Sequence, residues 1–307
     1  MRRLVALAAA VSALLTGCTS AHAPDASRPA SGQPGATSAA STSTTPPVST
    51  HPRAATPTPT RPKTTARKSP APATTRPPPV PPPVQFPPGS GPLVALNPGH
   101  NGANGSHPAE INRLVPADHY GNVKACDTTG TSTNAGYSEH EFNWDVTLRV
   151  RALLQAHGVR VILTRPDDAG VGPCVDQRAA IGNEPGVAAV ISIHADGAGA
   201  GGHGFHVCED SRPPAGAAVA ARSHRLTVAV HDALLGGSGL STSTYLGSNG
   251  YFPRSDLAGL NLATVPSTFL ELGNMRNAGD ASLQTSPAGR QRVAAAVAAG
   301  ILAYLAG

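Results

Sequence analysis

Aromatic side chains are scarce: Phe, Trp and Tyr make up 4% of 307 residues, with a single Trp. That leaves no row of rings on which the bases of a single-stranded nucleic acid would stack. Acids are nearly absent from the first 92 residues, where Asp25 stands alone against nine Lys and Arg. The rest of the chain carries 14 basic and 17 acidic residues, so the net charge of +5 comes from the leading part. A basic face for nucleic acid is therefore not expected in the folded part, and no nucleic-acid partner is expected. The leading apolar run, Leu4 to Leu15, is interrupted only by Ser12 and is too short to cross a bilayer.

Proline and glycine are abundant, 31 and 33 residues, and the prolines are unevenly placed. Twenty of them fall between Thr19 and Pro92 among Ala, Thr, Ser and Arg, a composition that cannot build a core. About 215 residues remain, 93–307, the size of one large domain. Arg2 and Arg3 ahead of the apolar run give it the shape of an export signal. The run ends in Leu15-Thr16-Gly17-Cys18, which resembles the lipobox of bacterial lipoproteins and implies cleavage before Cys18 and lipidation of that residue. Two or more acyl chains make a stable anchor, each buried CH₂ contributing about 0.8 kcal/mol. The expected organisation is a lipoprotein signal peptide over 1–17, a lipid-anchored disordered tether over 18–92 and a folded domain over 93–307, with membrane contact through the anchor only. Proline runs such as Pro77 to Pro83 favour an extended polyproline II tether.

From Leu93 onward short apolar runs alternate with helical periodicity. Leu93 to Leu96, Val159 to Thr164, Val187 to His194, Gly204 to Cys208 and Val265 to Leu272 read as strands. Glu139 to His157 reads as a helix with Phe142, Val146, Val150, Leu153 and Leu154 on one face and Gly158 as its stop. Val175 to Asn183, Ala215 to Leu235 and Ala288 to Leu305 read as further helices. The alternation predicts an α/β fold: a single domain whose twisted, mostly parallel sheet is flanked by helices. Ligands of such sheets gather at the carboxyl ends of the strands. Three strands end there in reactive residues: the first leads into His100, another ends at His194, and a third at Glu271. Glu139, opening its helix beside that edge, joins them.

Two imidazoles and a carboxylate match a catalytic zinc site that keeps a fourth position for water, with a further Glu as general base. Composition alone leaves a structural role for any two of the twelve histidines open. Gly197 to Gly202 has the G-x-G-x-x-G pattern but leads into a strand, so it predicts a flexible rim loop and no dinucleotide site.

Five motifs occur together: Asn97-Pro98-Gly99-His100-Asn101-Gly102, Glu139-His140-Glu141-Phe142-Asn143, Arg178 with Asn183, Ser192-Ile193-His194-Ala195, and Glu271-Leu272-Gly273-Asn274-Met275-Arg276-Asn277. In order and spacing they resemble the zinc-dependent N-acetylmuramoyl-L-alanine amidases of the type-3 class, most closely the single-domain members of mycobacterial type. The resemblance covers 93–307 and implies a peptidoglycan hydrolase that cuts between the lactyl group of muramic acid and the first L-Ala of the stem peptide. It implies one Zn²⁺ per chain held by His100, Glu139 and His194, with Glu271 activating water. Glu141 competes with Glu139, and Asn143, four residues on, favours Glu139.

Arg178, His206 and Asn277 are candidate substrate contacts. The partner implied is peptidoglycan or its muropeptide fragments, the expected state a monomer, and the expected location the outer face of the plasma membrane, acting in the cell wall. Relatives of this type also imply a disulfide between Cys126 and Cys174, leaving Cys208 a free buried thiol. The family usually has Asp where Asn97 stands, and an uncharged residue there predicts weaker support for His100. Two other readings stay open: a zinc hydrolase of another cell-wall amide, such as a peptidase or deacetylase, and a non-catalytic wall-binding lipoprotein. The 38 residues between His100 and Glu139 are expected to form a cleft wall or lid.

Overall fold

The computed structural model describes residues 83–212 and 215–307. The signal peptide, Cys18 and the tether as far as residue 82 lie outside the described residues. In chain order the elements are β1 (Leu93–Pro98), α1 (Pro108–Ile111), β2 (Leu114–Pro116), β3 (Val123–Ala125), α2 (Glu139–Ala156), β4 (Arg160–Leu163) and α3 (Val175–Gly182). They continue with β5 (Val187–Asp196), β6 (His206–Cys208), α4 (Ala217–Gly237), α5 (Ala258–Asn261), β7 (Ser267–Asn274), α6 (Ala278–Thr285) and α7 (Pro287–Leu305).

The main sheet has the order β4-β1-β5-β7-β6; its first four strands run parallel and β6 is antiparallel to β7. Side chains alternate between the two faces. Val94 and Leu96 of β1 and Ala189, Ile191 and Ile193 of β5 enter the larger core with Phe142, Val146 and Val150 of α2, Val230 of α4 and Val297 of α7. Ala95 and Val190 point the other way into a smaller cluster, on the face where Gly182 of α3 meets Val190. Val190 shares its face with Ser192 and His194, by the period of two. The fold thus presents His194 at a strand end on the less heavily covered side. Among the described residues no helix is long and apolar enough to cross a membrane.

Packed structure begins before Leu93, where the tether was expected to give way to the domain. Val84 and Phe86 pack against the larger core. The Phe86 and Gly91 amides donate to the carbonyls of His157 and Gly158, both at 3.0 Å. Proline-rich composition conceals two apolar anchors that dock this strap onto the end of α2. A small β2–β3 hairpin, also unexpected, pairs Val115 with Lys124 within the 101–138 segment.

Candidate metal centre and cleft

β1 delivers the chain to His100, whose φ of 58° is left-handed, a conformation that costs a non-glycine residue about 1–3 kcal/mol. The turn brings its ring against two carboxylates. Nδ1 donates to the Thr128 carbonyl at 3.0 Å and lies 3.2 Å from Asp127 Oδ1, while Nε2 lies 3.2 Å from Glu139 Oε2. The second oxygen of Glu139 is 3.0 Å from His194 Nδ1. One donor atom from each of His100, Glu139 and His194 lies within 4.8 Å of the others.

Glu139 occupies the first helical position of α2, and its carboxylate also accepts from the Thr131 and Ala195 amides at 3.0 and 3.2 Å and from Asn143 Nδ2 at 3.3 Å. Glu141 is exposed and completes a capping box: its carboxylate accepts from the Ser138 hydroxyl at 2.6 Å and the Ser138 amide at 3.1 Å. The helix start thus divides the two glutamates, Glu139 turning inward beside the histidines and Glu141 serving the cap.

Close packing fixes the imidazoles. The His194 ring stacks on Phe269 with centroids 4.2 Å apart. A Cβ on Gly99 would sit 2.0 Å from that ring, and one on Gly130 would sit 2.7 Å from both Glu139 Oε2 and the His100 ring. Both positions exclude any larger residue. Burial works against ionising Glu139, yet the two imidazoles outweigh it and hold the carboxyl well below the usual range. For His100 burial is likewise overcome, here by Glu139 and Asp127, which raise it to about 10. Burial dominates at His194 and lowers it.

Glu271 stands on β7 in register with His194 on β5. Burial, then the charges of Glu139 and Asp196, push its carboxyl well above the ordinary carboxylate value. Its Oε2 is buried without a hydrogen-bond partner among the described residues. His100, Glu139, His194 and Glu271 share one cleft of about 400 Å³, whose walls are residues 127–131 on one side and Leu257 to Gly259 on another.

The sequence matches the Amidase_3 family, N-acetylmuramoyl-L-alanine amidase, over residues 94–303. This chain belongs to that family. It is 47% identical over 217 residues to the N-acetylmuramoyl-L-alanine amidase Rv3717 of Mycobacterium tuberculosis, covering 71% of this chain and 88% of the relative. The structure resembles the N-acetylmuramyl-L-alanine amidase Ami1 of Mycobacterium smegmatis with a TM-score of 0.67 and 48% identity, covering 71% of this chain and 98% of that one. Ami1 of Mycobacterium abscessus gives 0.66 and 50%, covering 70% and 99%.

Within this amidase fold, each of the three candidate substrate contacts is engaged in packing or hydrogen bonds of the protein itself. Arg178 is 3% exposed and spends its donors on the carbonyls of Pro98, His100 and Pro173 and on Asp127 Oδ2. That accounts for four of its five N–H donors, leaving one on Nη1. Asn277 caps α6, accepting from the Gly279 and Asp280 amides. His206 is 1% exposed on β6, edge-on to Tyr245 and Phe252, and burial lowers it to about 4.

Asn97 makes no hydrogen bond to His100; it donates to Ser192 Oγ at 2.9 Å and accepts from Thr164 Oγ1 at 2.6 Å. The carboxylate that supports His100 is Asp127, absent from the sequence reading and recognisable there only as the neighbour of Cys126. Cys126 and Cys174 form the disulfide, and Cys208 is free and buried, its thiol pushed up by burial. The glycine-rich rim is tied down, since Asn274 Nδ2 donates to the carbonyls of Gly199 and Gly202 at 3.0 and 2.8 Å.

Proposed function

We propose that this chain hydrolyses the amide between the lactyl group of N-acetylmuramic acid and L-alanine in peptidoglycan, with one zinc ion held by His100, Glu139 and His194 and with Glu271 as general base. The observation that carries the reading is the convergence of the three donor atoms within 4.8 Å beside a fourth, separate carboxyl in the same cleft. The donor set fits the metal: two imidazoles and an ionised carboxylate are what a catalytic zinc site uses, with room for a further ligand. Asp127 and the Thr128 carbonyl hold Nδ1–H of His100 and so turn Nε2 toward Glu139 and the centre.

Zinc, when bound, supplies a Lewis acid that polarises the scissile carbonyl and acidifies water. The protein's own part is proton transfer and exclusion of solvent. Glu271 takes a proton from the attacking water and returns it to the departing amine of L-Ala. Its buried position favours the protonated carboxyl, which suits delivery of that proton. Gly99 and Gly130 let backbone close around the imidazoles, and Phe269 shields one face of His194.

Export, lipidation at Cys18 and action in the wall from the outer face of the plasma membrane belong to the same reading. They rest on the leader and its Leu15-Thr16-Gly17-Cys18 sequence. Mass spectrometry of digested peptidoglycan tests the reaction: an intact stem peptide with a free L-Ala amine is expected. A shortened stem peptide would make the chain a peptidase, loss of acetyl groups a deacetylase, and unchanged material a non-catalytic wall protein.

A further inference from the structure

Most charge in the cleft is accounted for. Asp127 is paired with Arg178, Glu139 lies between two imidazoles, and Arg178, itself buried, gives four of its five donors to the protein. Lys124 differs. It lines the same cleft from β3, half-buried, and its Nζ donates to one protein group, the Asp256 carbonyl at 2.9 Å. The Asp256 carboxylate is occupied elsewhere, by Arg254 at 2.6 and 2.7 Å. Among the described residues no carboxylate lies within the 4.0 Å of a salt bridge to Lys124, whereas Arg178, the other basic side chain of the lining besides the histidines, is paired with Asp127.

An ammonium has three donors. Lys124 therefore turns unspent charge toward a cavity whose other ionisable walls, Asp127, Glu139, Asp196 and Glu271, are acids apart from the site histidines and the committed Arg178. Its place is fixed. Lys124 is paired with buried Val115 across the hairpin, and Cys126, two residues on, is bonded to Cys174.

Resting on the amidase reading, we infer that Lys124 binds a carboxylate of the stem peptide and so sets which peptides the cleft prefers. The chemistry of the substrate decides the side. An N-acetylated glycan is uncharged once the lactyl carboxyl is tied up in the scissile amide, so the carboxylates all lie on the peptide. An ammonium with unspent donors at the cleft wall is matched to such a carboxylate, and a charge-assisted hydrogen bond there strengthens binding about 10- to 100-fold.

The test compares N-acetylmuramoyl-L-alanyl-D-isoglutamate with its α-amide on the zinc-loaded full chain. For Lys124→Met the ratio of kcat/KM, carboxylate over amide, should fall about 10-fold or more relative to the parent, the loss appearing in KM and not in kcat. Lys124→Arg should restore most of the ratio, which a merely structural lysine would not require. Raised salt should erode the parent's ratio and leave that of Lys124→Met unmoved. An unchanged ratio in Lys124→Met, with both substrates cleaved, would overturn this inference alone. Failure of the parent to cleave either substrate would overturn the amidase reading and this inference with it.

Discussion

His194 and Glu271 stand in register on neighbouring parallel strands, whereas Asp127, Gly130 and Thr131 enter the same cleft from a segment whose longest strand or helix has four residues. The strands are held by the larger core, with Ile191, Ile193, Leu270 and Leu272 fully buried. The segment owes its place to separate fastenings: the disulfide, the Asp127–Arg178 pair and the Asn104 side chain, which donates to the Thr128 carbonyl at 2.8 Å. Reactive groups sit where hydrophobic packing makes position costly to change. The groups that orient them sit where a few polar and covalent ties suffice.

If that division holds, damage on the strand side should be the most severe. His194→Ala should lose both bound zinc and detectable turnover, read by metal analysis and peptide release; stoichiometric zinc with full turnover would break the comparison at once. Glu271→Gln should keep the metal while kcat falls about 10²- to 10⁴-fold, the range for a positioned proton-transfer group. A variant within a few-fold of the parent would leave Glu271 a structural carboxyl.

Changes in the segment should weaken the site without abolishing it. For Asp127→Asn the expectation is a metal affinity about 10- to 100-fold lower, measured by chelator competition. Replacing Cys126 and Cys174 by Ser should lower unfolding stability by about 2–4 kcal/mol and raise proteolytic nicking within 101–138, with zinc still near one per chain. Unaltered nicking and turnover would remove the segment from the list of site elements.

The smallest effect separates the two imidazoles. His100 is raised to about 10 in the metal-free chain, so it is protonated at neutral pH, while His194 is lowered and neutral. Zinc binding at pH 7 should therefore release roughly one proton, from His100, and affinity should rise with pH. Calorimetry in two buffers of different ionisation enthalpy reads this directly, and no proton release would contradict it. The sign for folding is opposite. Because the His100 value is raised, its stabilising contribution to the metal-free chain is complete below about 6.5 and is lost as pH rises through about 10.

The cluster of His100, Glu139 and His194 and most of the sheet were legible because strands of one period end in reactive residues at a common edge. α2 begins at Glu139 as its sequence predicts, and Ser138 with Glu141 three residues later explains why. What stayed hidden has local causes. β2 and β3 have three residues each, with Leu114 and Val123 exposed, so no buried alternation announces them. Asp127 lies 27 residues from the imidazole it supports, a pairing that only the fold creates. The motif that holds Arg178 is shared with the family, and its collection of the Pro98, His100 and Pro173 carbonyls beside a tight turn is a role that only the fold reveals.

The strap at Val84 to Pro92 gives the molecule a direction of load. It is fastened to His157 and Gly158 and runs into the amino end of β1, while the cleft opens at that strand's carboxyl end. A strand of six residues is about 20 Å long, so the polypeptide arrives at one pole of the sheet and the chemistry takes place at the other. Any tension applied upstream would be borne first by the partly buried Phe86 and the amides of Phe86 and Gly91, then by β1, which is hydrogen-bonded along both edges to β4 and β5. Those bonds lie across the pull and are loaded in shear, many at once. The chain therefore enters the domain at the end of the sheet farthest from the chemistry, so changes at the entry and changes at the cleft are separable.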